Sequence, residues 1–449
     1  MADSLRSKIA SLMRSPELRG VATLGAGTAV SQLLPVVMSF ILSRLYTPEA
    51  FGDYGVFINY ASVIAIVICA RYEYAIMRPR REVDALNLVA LCLLLACGVT
   101  VLLYALLGAA DIAGADVGGA VPLRYLLPVY ALAVAVMQVF SNYANRRAAY
   151  GVTASASVVR SVTQAVSRLV MGLAKVPGGL VLGCMLGAVA GCAASAGGTG
   201  VVRSVGRSLS VAGMRRVAAA YAAFPRYQLA GSLLNALSTA MPVILIDYFY
   251  GSRTTGFFTM AVSLLYLPST MVGNAMGQVF YRRAVTDTVA GASRLALRFF
   301  AFNFVVALVM FVVLWLGGAP MFRLLLGGEW GMIGDYAFYL SPWLMAALCF
   351  TPLTWAFDAY DHLKAEMVLN VAMFVCRAGG VAVCGLAGAG ADVTMAVCGL
   401  VGLLLYATQG WCVSRYLEVR ASVTCRVVVA VLALAVVGVW AARVAACLW

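Results

Sequence analysis

Charge is scarce in this chain: Asp, Glu, Lys and Arg make up 11% of its 449 residues, where a soluble surface needs about a quarter. That excludes a water-facing globule, and with 63% of the residues hydrophobic, lipid must cover most of the molecule. Histidine occurs once, as His362 in a turn between apolar runs, and reads as a solvated loop residue rather than a proton switch. No carboxylate cluster stands out that would bind a metal or activate a hydroxyl, so no metal, cofactor or enzymatic activity is expected. Long polar connections are missing too. The largest, 109–123 and 319–335, are too short to fold as soluble domains, which leaves the membrane region to do the chemistry. Disulfide or metal spacing is absent from the 12 cysteines, which lie in or beside apolar runs as small buried hydrophobes.

What the chain has is apolar length. A spanning helix takes about 20 apolar residues, and thirteen such runs are readable at 20–43, 52–76, 85–108, 124–145, 153–175, 177–202, 221–250, 254–280, 297–318, 336–358, 364–386, 389–413 and 424–447. The fold class is therefore all-α, a polytopic membrane protein. The first run is of spanning length and leads into others, unlike a cleavable signal peptide. Ahead of it, Leu5, Ile9, Leu12 and Met13 share one helical face among basic residues, so 1–19 reads as an amphipathic surface helix.

Basic residues alternate along these runs. Of the 32 Lys and Arg, 21 fall on every second connection, from Arg6 to Arg426, whereas the intervening connections hold only Arg44, Arg124, Lys175, Arg253 and Arg323. The rich side is assigned to the cytoplasm, with the N-terminus there. Short basic loops beside apolar segments account for the net charge of +14, and no nucleic acid is expected. The run 153–175 contains Arg160 and Arg168 and is weak by hydropathy, yet without it every later basic loop would invert.

An internal repeat is visible. Ser31 and Pro35 of the first run recur as Ser238 and Pro242 in the seventh, offset by 207 residues, and the turn glycine Gly52 recurs as Gly256, offset by 204. Two six-span halves, 20–203 and 221–415, then both start in the cytoplasm and enclose a cavity, with 424–447 an additional span. The sixth run carries Gly179, Gly183, Gly187 and Gly191 at intervals of four, a stripe that admits close approach of another helix. Prolines such as Pro35, Pro242, Pro268 and Pro342 add kinks suited to a protein that rocks between states.

Mid-membrane arginine costs at least about 2.5 kcal/mol on insertion scales and so points to a wet interior. In the fifth run Ser157, Arg160, Gln164, Ser167 and Arg168 form one polar stripe expected to line water or substrate. Asn235 in the seventh run and Asn274 in the eighth extend the polar set. Arg71 beside Glu73, and Arg226 near a helix start, fit an ion pair or headgroup contact as well as a lumen role, whereas Arg160 and Arg377 lie deeper in their runs. Guanidinium forks match phosphate oxygens, so the cavity reads as a site for an anionic substrate. The candidate substrate contacts are Arg160, Gln164, Arg168, Arg377, Arg71, Asn235 and Asn274, with Asp247 and Glu73 as acids for ion coupling.

These residues resemble a known family. The turn from Leu42 to Tyr54, the stretch Arg71 to Ile76, Phe224 to Pro242, Gly273 to Phe280, and Leu326 to Trp330 with Ser341, Pro342 and Trp343 are similar, in order, to segments of the Wzx-type polysaccharide and O-antigen flippases. These belong to the multidrug, oligosaccharidyl-lipid and polysaccharide exporter superfamily. The resemblance covers about residues 20–415. It implies two six-helix bundles around a central cavity, and transfer of undecaprenyl-diphosphate-linked oligosaccharide between leaflets of the bacterial inner membrane. Membrane lipids, a glycan polymerase and a chain-length regulator are the implied partners. Two rivals remain: a cation-coupled multidrug exporter of the same fold, which should carry an acidic cavity, and a membrane-embedded glycan polymerase, which should carry a large exterior loop or a carboxylate cluster.

Overall fold

A computed structural model of the chain describes residues 16–113, 123–201, 210–360, 362–417 and 438. Most of the surface helix expected at 1–19 and the span expected at 424–447 lie outside these residues, as does the side chain of Asn274. No strand occurs among the described residues, and nine of the helices are long and apolar enough to cross a bilayer. The chain is a multi-pass, all-α membrane protein. Its helices are α1 (Pro16–Leu42), α2 (Pro48–Val67), α3 (Glu82–Ile112), α4 (Leu127–Arg146), α5 (Tyr150–Leu173), α6 (Gly179–Thr199) and α7 (Val211–Ala220). They continue with α8 (Leu229–Thr286), α9 (Val289–Leu326), α10 (Met332–Phe350), α11 (Leu363–Leu386) and α12 (Ala391–Tyr416). Every apolar run expected before residue 418 falls on one of these helices.

The runs 221–250 and 254–280 fall on two helices that α8 joins across a kink at Gly251, whose φ of 80° an L side chain rarely adopts. The run expected at 52–76 ends as an α-helix at Val67. Ala70 and Arg71 then take left-handed φ values of 48° and 64°, and the chain turns into a 3₁₀ segment at Tyr72–Met77. Two consecutive left-handed residues cannot continue a right-handed helix, so apolar composition alone overran the end. Local capping marks other starts: Ser210 Oγ accepts from Gly213 N at 3.2 Å ahead of α7, and Thr288 Oγ1 accepts from Gly291 N at 3.2 Å ahead of α9.

The residues form two compact units. Of the described residues, the first holds those up to Tyr46 together with those of Phe57–Ala236; the second holds Thr47–Val56 together with those from Leu237 onward. The first unit is built on packing of α5 against α1 and α6, α4 against α6, and α3 against α4 and α7. A core of Ile68, Leu88, Val139, Phe140, Tyr143 and Val217 fills it at one end. In the second unit α10 packs on α9 and α12, and α11 on α12, with Phe280, Phe357, Leu369 and Val413 in one of its cores. Outward apolar side chains such as Val101, Leu316 and Leu386 are 68%, 85% and 81% exposed, as lipid contact requires.

The repeat-related glycines meet inside the second unit. A Cβ at Gly52 would lie 2.7 Å from the carbonyl carbon of Ser252, and one at Gly256 would lie 2.7 Å from that of Pro48 and 3.1 Å from the nitrogen of Gly52. Only glycine leaves room for this backbone-to-backbone crossing.

Candidate functional site

The polar stripe on α5 has a structural side that sequence did not show. It packs against the glycine stripe of α6: a Cβ at Gly183 would lie 2.6 Å from Arg168 Cγ, one at Gly187 2.7 Å from Gln164 Cβ and 2.8 Å from Arg160 O, and one at Gly191 2.8 Å from Arg160 Cβ. The reason is local. Only a short turn separates α5 from α6, so the two helices lie side by side, and the glycines let large polar residues of α5 sit flat on the α6 backbone. Arg168 is 7% exposed and donates from Nε to Leu180 O at 3.0 Å. With the Gln164 amide oriented to satisfy both groups, its oxygen accepts from both terminal nitrogens of Arg168, at 2.9 and 3.0 Å. Ser167 Oγ donates to Gly183 O at 3.2 Å. Gln164, Ser167 and Arg168 bond to each other and to α6, because a buried guanidinium needs acceptors, while Gln164 and Ser167 themselves are half-buried.

Arg160 differs. It is half-buried, and its guanidinium extends past α6 to α4, where Nη2 donates to Tyr130 Oη at 3.1 Å. It takes part in none of the ion pairs among the described residues. One phenol oxygen leaves most of its five N–H donors free for an anion.

Arg71 and Glu73 form an ion pair at 3.5 Å, with Glu73 buried and the Arg71 guanidinium 5.0 Å from the Tyr74 ring centre. The pair belongs to a polar layer at one end of the first unit. Asn142 donates to Glu73 O at 3.0 Å, Tyr143 donates to Glu82 at 2.6 Å, and Arg146 donates to Glu82 at 3.3 Å. Arg216 meets Asp84 at 2.5 Å, holding α7 to α3. Asn235 is exposed on α8.

In the second unit Arg377 stands on α11 between aromatic faces, its guanidinium carbon 4.9 Å from the ring centre of Trp343 on α10 and 5.5 Å from that of Tyr406 on α12. Tyr266 of α8 closes the group, with its hydroxyl 3.0 Å from that of Tyr406 and its ring 6.5 Å from Trp343. Nε and Nη2 of Arg377 and Nε1 of Trp343 are buried and have no hydrogen-bond partner among the described residues. Leaving one such donor buried and unmatched costs about 1–3 kcal/mol, and more for a charged group. Sequence singled out Arg377 but missed its three aromatic neighbours. The only signal touching them was the Ser341-Pro342-Trp343 segment, noticed for its family likeness.

Asp247 is 8% exposed, beside Asp53 and within reach of the Ser252 and Thr255 hydroxyls. Arg253 pairs with Glu49 at 3.1 Å in the same part of the second unit. The structure thus separates the sequence-derived set into groups: Gln164 with Arg168 in the α5–α6 seam, Arg160 against α4, Arg71 with Glu73, Arg377 among aromatics, and Asp247 with Asp53. No group of three or more metal-ligating side chains occurs among the described residues.

Comparisons with known proteins agree on the fold. The chain is similar to an inward-facing multidrug resistance MATE family transporter of the MOP superfamily, with 15% identity over 88% of this chain and 96% of that one and a TM-score of 0.57. It is similar to a MOP superfamily transporter from Pyrococcus furiosus, with 15% identity over 91% and 97% of the two chains and a TM-score of 0.56. It is also similar to the lipid II flippase MurJ in an inward closed conformation, with 9% identity over 94% and 97% and a TM-score of 0.59. No curated protein matches the chain significantly. Residues 18–281 match the family described as polysaccharide biosynthesis protein. That match covers more than half of the sequence, and the chain belongs to the polysaccharide biosynthesis protein family.

Proposed function

We propose that this protein is a flippase that moves undecaprenyl-diphosphate-linked oligosaccharide from the cytoplasmic to the periplasmic leaflet of the bacterial inner membrane, for surface polysaccharide assembly. A hydroxyl stripped of water without a partner costs several kcal/mol in hydrocarbon, so a sugar chain crosses only where polar groups receive it. The prenyl tail stays in lipid while the headgroup passes along polar groups of the membrane region, exposed to one side and then the other. The observation that carries this reading is Arg160: a guanidinium in an apolar helix, bonded to a phenol and paired with no acid. Such a donor set suits a diphosphate oxygen. Arg377 is a second membrane cation in none of the ion pairs among the described residues, and Asp247 and Glu73 are the acids for ion coupling. Family membership in polysaccharide biosynthesis and the fold shared with a lipid II flippase support the substrate class. The distribution of basic residues supports a cytoplasmic N-terminus, and a glycan polymerase and chain-length regulator are the partners this role requires.

The test is export in cells that depend on this chain, with vesicles carrying a fluorescent polyprenyl-diphosphate oligosaccharide as the direct assay. Arg160→Ala should abolish surface glycan and translocation while protein abundance stays normal. Undiminished export removes Arg160 from the site. The fold shared with MATE family proteins keeps one rival, a cation-coupled drug exporter. That reading requires organic-cation efflux from cells expressing the wild type, and Arg160→Ala should then leave efflux intact.

A further inference from the structure

The Arg377 cluster has an unusual chemical balance. Three buried N–H donors, Nε and Nη2 of Arg377 and Nε1 of Trp343, belong to one cluster of the second unit, and no acceptor among the described residues bonds to them. Nε and Nη2 are the two donors on one edge of a guanidinium, and that edge matches the two oxygens of a carboxylate. The walls are equally specific. Trp343 and Tyr406 present ring faces to the guanidinium at 4.9 and 5.5 Å, and Tyr266 lies against both, 6.5 Å from Trp343 by ring centre and 3.0 Å from Tyr406 by hydroxyl. Aromatic faces of this kind stack on the C–H faces of sugar rings.

A structural arginine elsewhere in the chain shows what a purely architectural arrangement looks like: Arg168 has Leu180 O and the Gln164 amide oxygen as acceptors. Arg377 has only π-faces. Its two unmatched donors, with the third on Trp343, find no acceptor among the described residues and call for oxygens of a ligand. The cluster offers one positive charge, which balances a single carboxylate.

We propose that Arg377, Trp343, Tyr406 and Tyr266 form a subsite for a carboxylate-bearing sugar, a uronate-type residue of the translocated glycan. Its carboxylate takes the side edge of Arg377 and the indole N–H of Trp343, and its ring lies against an aromatic face. The subsite rests on the flippase reading for its biological meaning, and it selects an acidic glycan rather than the lipid diphosphate common to all such substrates.

Saturation-transfer difference NMR on the full chain in lipid nanodiscs tests this, with glucuronate and glucose as ligands and inorganic phosphate as competitor. Glucuronate should give a saturable signal, glucose should bind about tenfold more weakly or not at all, and phosphate at equal concentration should leave the glucuronate signal in place. Arg377→Gln should abolish it. Arg377→Lys should weaken it about tenfold, because an ammonium cannot fork, and Trp343→Phe should weaken it severalfold while keeping the aromatic wall. If Arg377→Gln does not fold, the Lys and Phe variants decide. Equal binding of glucose, displacement by phosphate, no signal from the wild type, or a signal that survives these substitutions overturns the subsite. Vesicles separate the two readings: a chain that translocates lipid-linked glycan yet ignores glucuronate loses only the subsite, and one that binds glucuronate yet translocates nothing loses the flippase assignment.

Discussion

Arg168 and Arg377 look alike in sequence, each an arginine deep in an apolar run, and their surroundings are opposite. In the α5–α6 seam each of the three guanidinium nitrogens of Arg168 meets an oxygen, from Leu180 or Gln164, and glycine lets the α6 backbone come close enough to supply one. At the α10–α11–α12 cluster the guanidinium meets ring faces and keeps unmatched donors. The first arrangement uses a cation to fasten two helices. The second holds a cation ready for something that is not part of the chain. Depth in the membrane identifies neither; the acceptors around the group do.

Three substitutions break or sharpen that contrast, in descending order of effect. Gly187→Leu should do most harm, since even a Cβ there would lie 2.7 Å from Gln164 Cβ and 2.8 Å from Arg160 O, which cannot yield without separating α5 from α6. Quantitative immunoblot should find little or no chain in the membrane, a loss beyond about 4 kcal/mol. Arg168→Ala should come next. It leaves Leu180 O and the Gln164 amide without partners in a buried seam, a cost of about 2–4 kcal/mol that a thermal melt in detergent reads as a lowered Tm. Arg377→Leu should be smallest for stability, within about 1 kcal/mol of the wild type in either direction, because it removes a buried charge that lacks an acceptor along with its cation–π contacts. A melt that drops as far for Arg377→Leu as for Arg168→Ala would erase the contrast between fastening and receiving.

Much of the helical scaffold was legible because apolar length is a direct demand of the bilayer. The end of the second run was not, since the left-handed backbone at Ala70 and Arg71 carries no glycine to announce it. In the site, the spacing of Gln164 and Arg168 and the glycines at intervals of four were both visible, yet read apart: one as a wet face, the other as a packing face. Reading α5 and α6 as a hairpin joined by a short turn would have put them together. The aromatic neighbours of Arg377 were out of reach. Trp343, Tyr406 and Tyr266 come from three other helices, and no periodicity along one helix encodes a meeting between four.

The crossing of Gly52 and Gly256 carries a consequence for how this gene tolerates change. Positions 204 residues apart share one crossing there: Gly52 rests on the backbone of Ser252, and Gly256 on that of Pro48 and the nitrogen of Gly52. Enlarging either should block nearly the whole approach, so the double substitution should hurt little more than a single one. A mutational map would then show strong dependence between these two sites, linking the start of one half of the repeat to the start of the other.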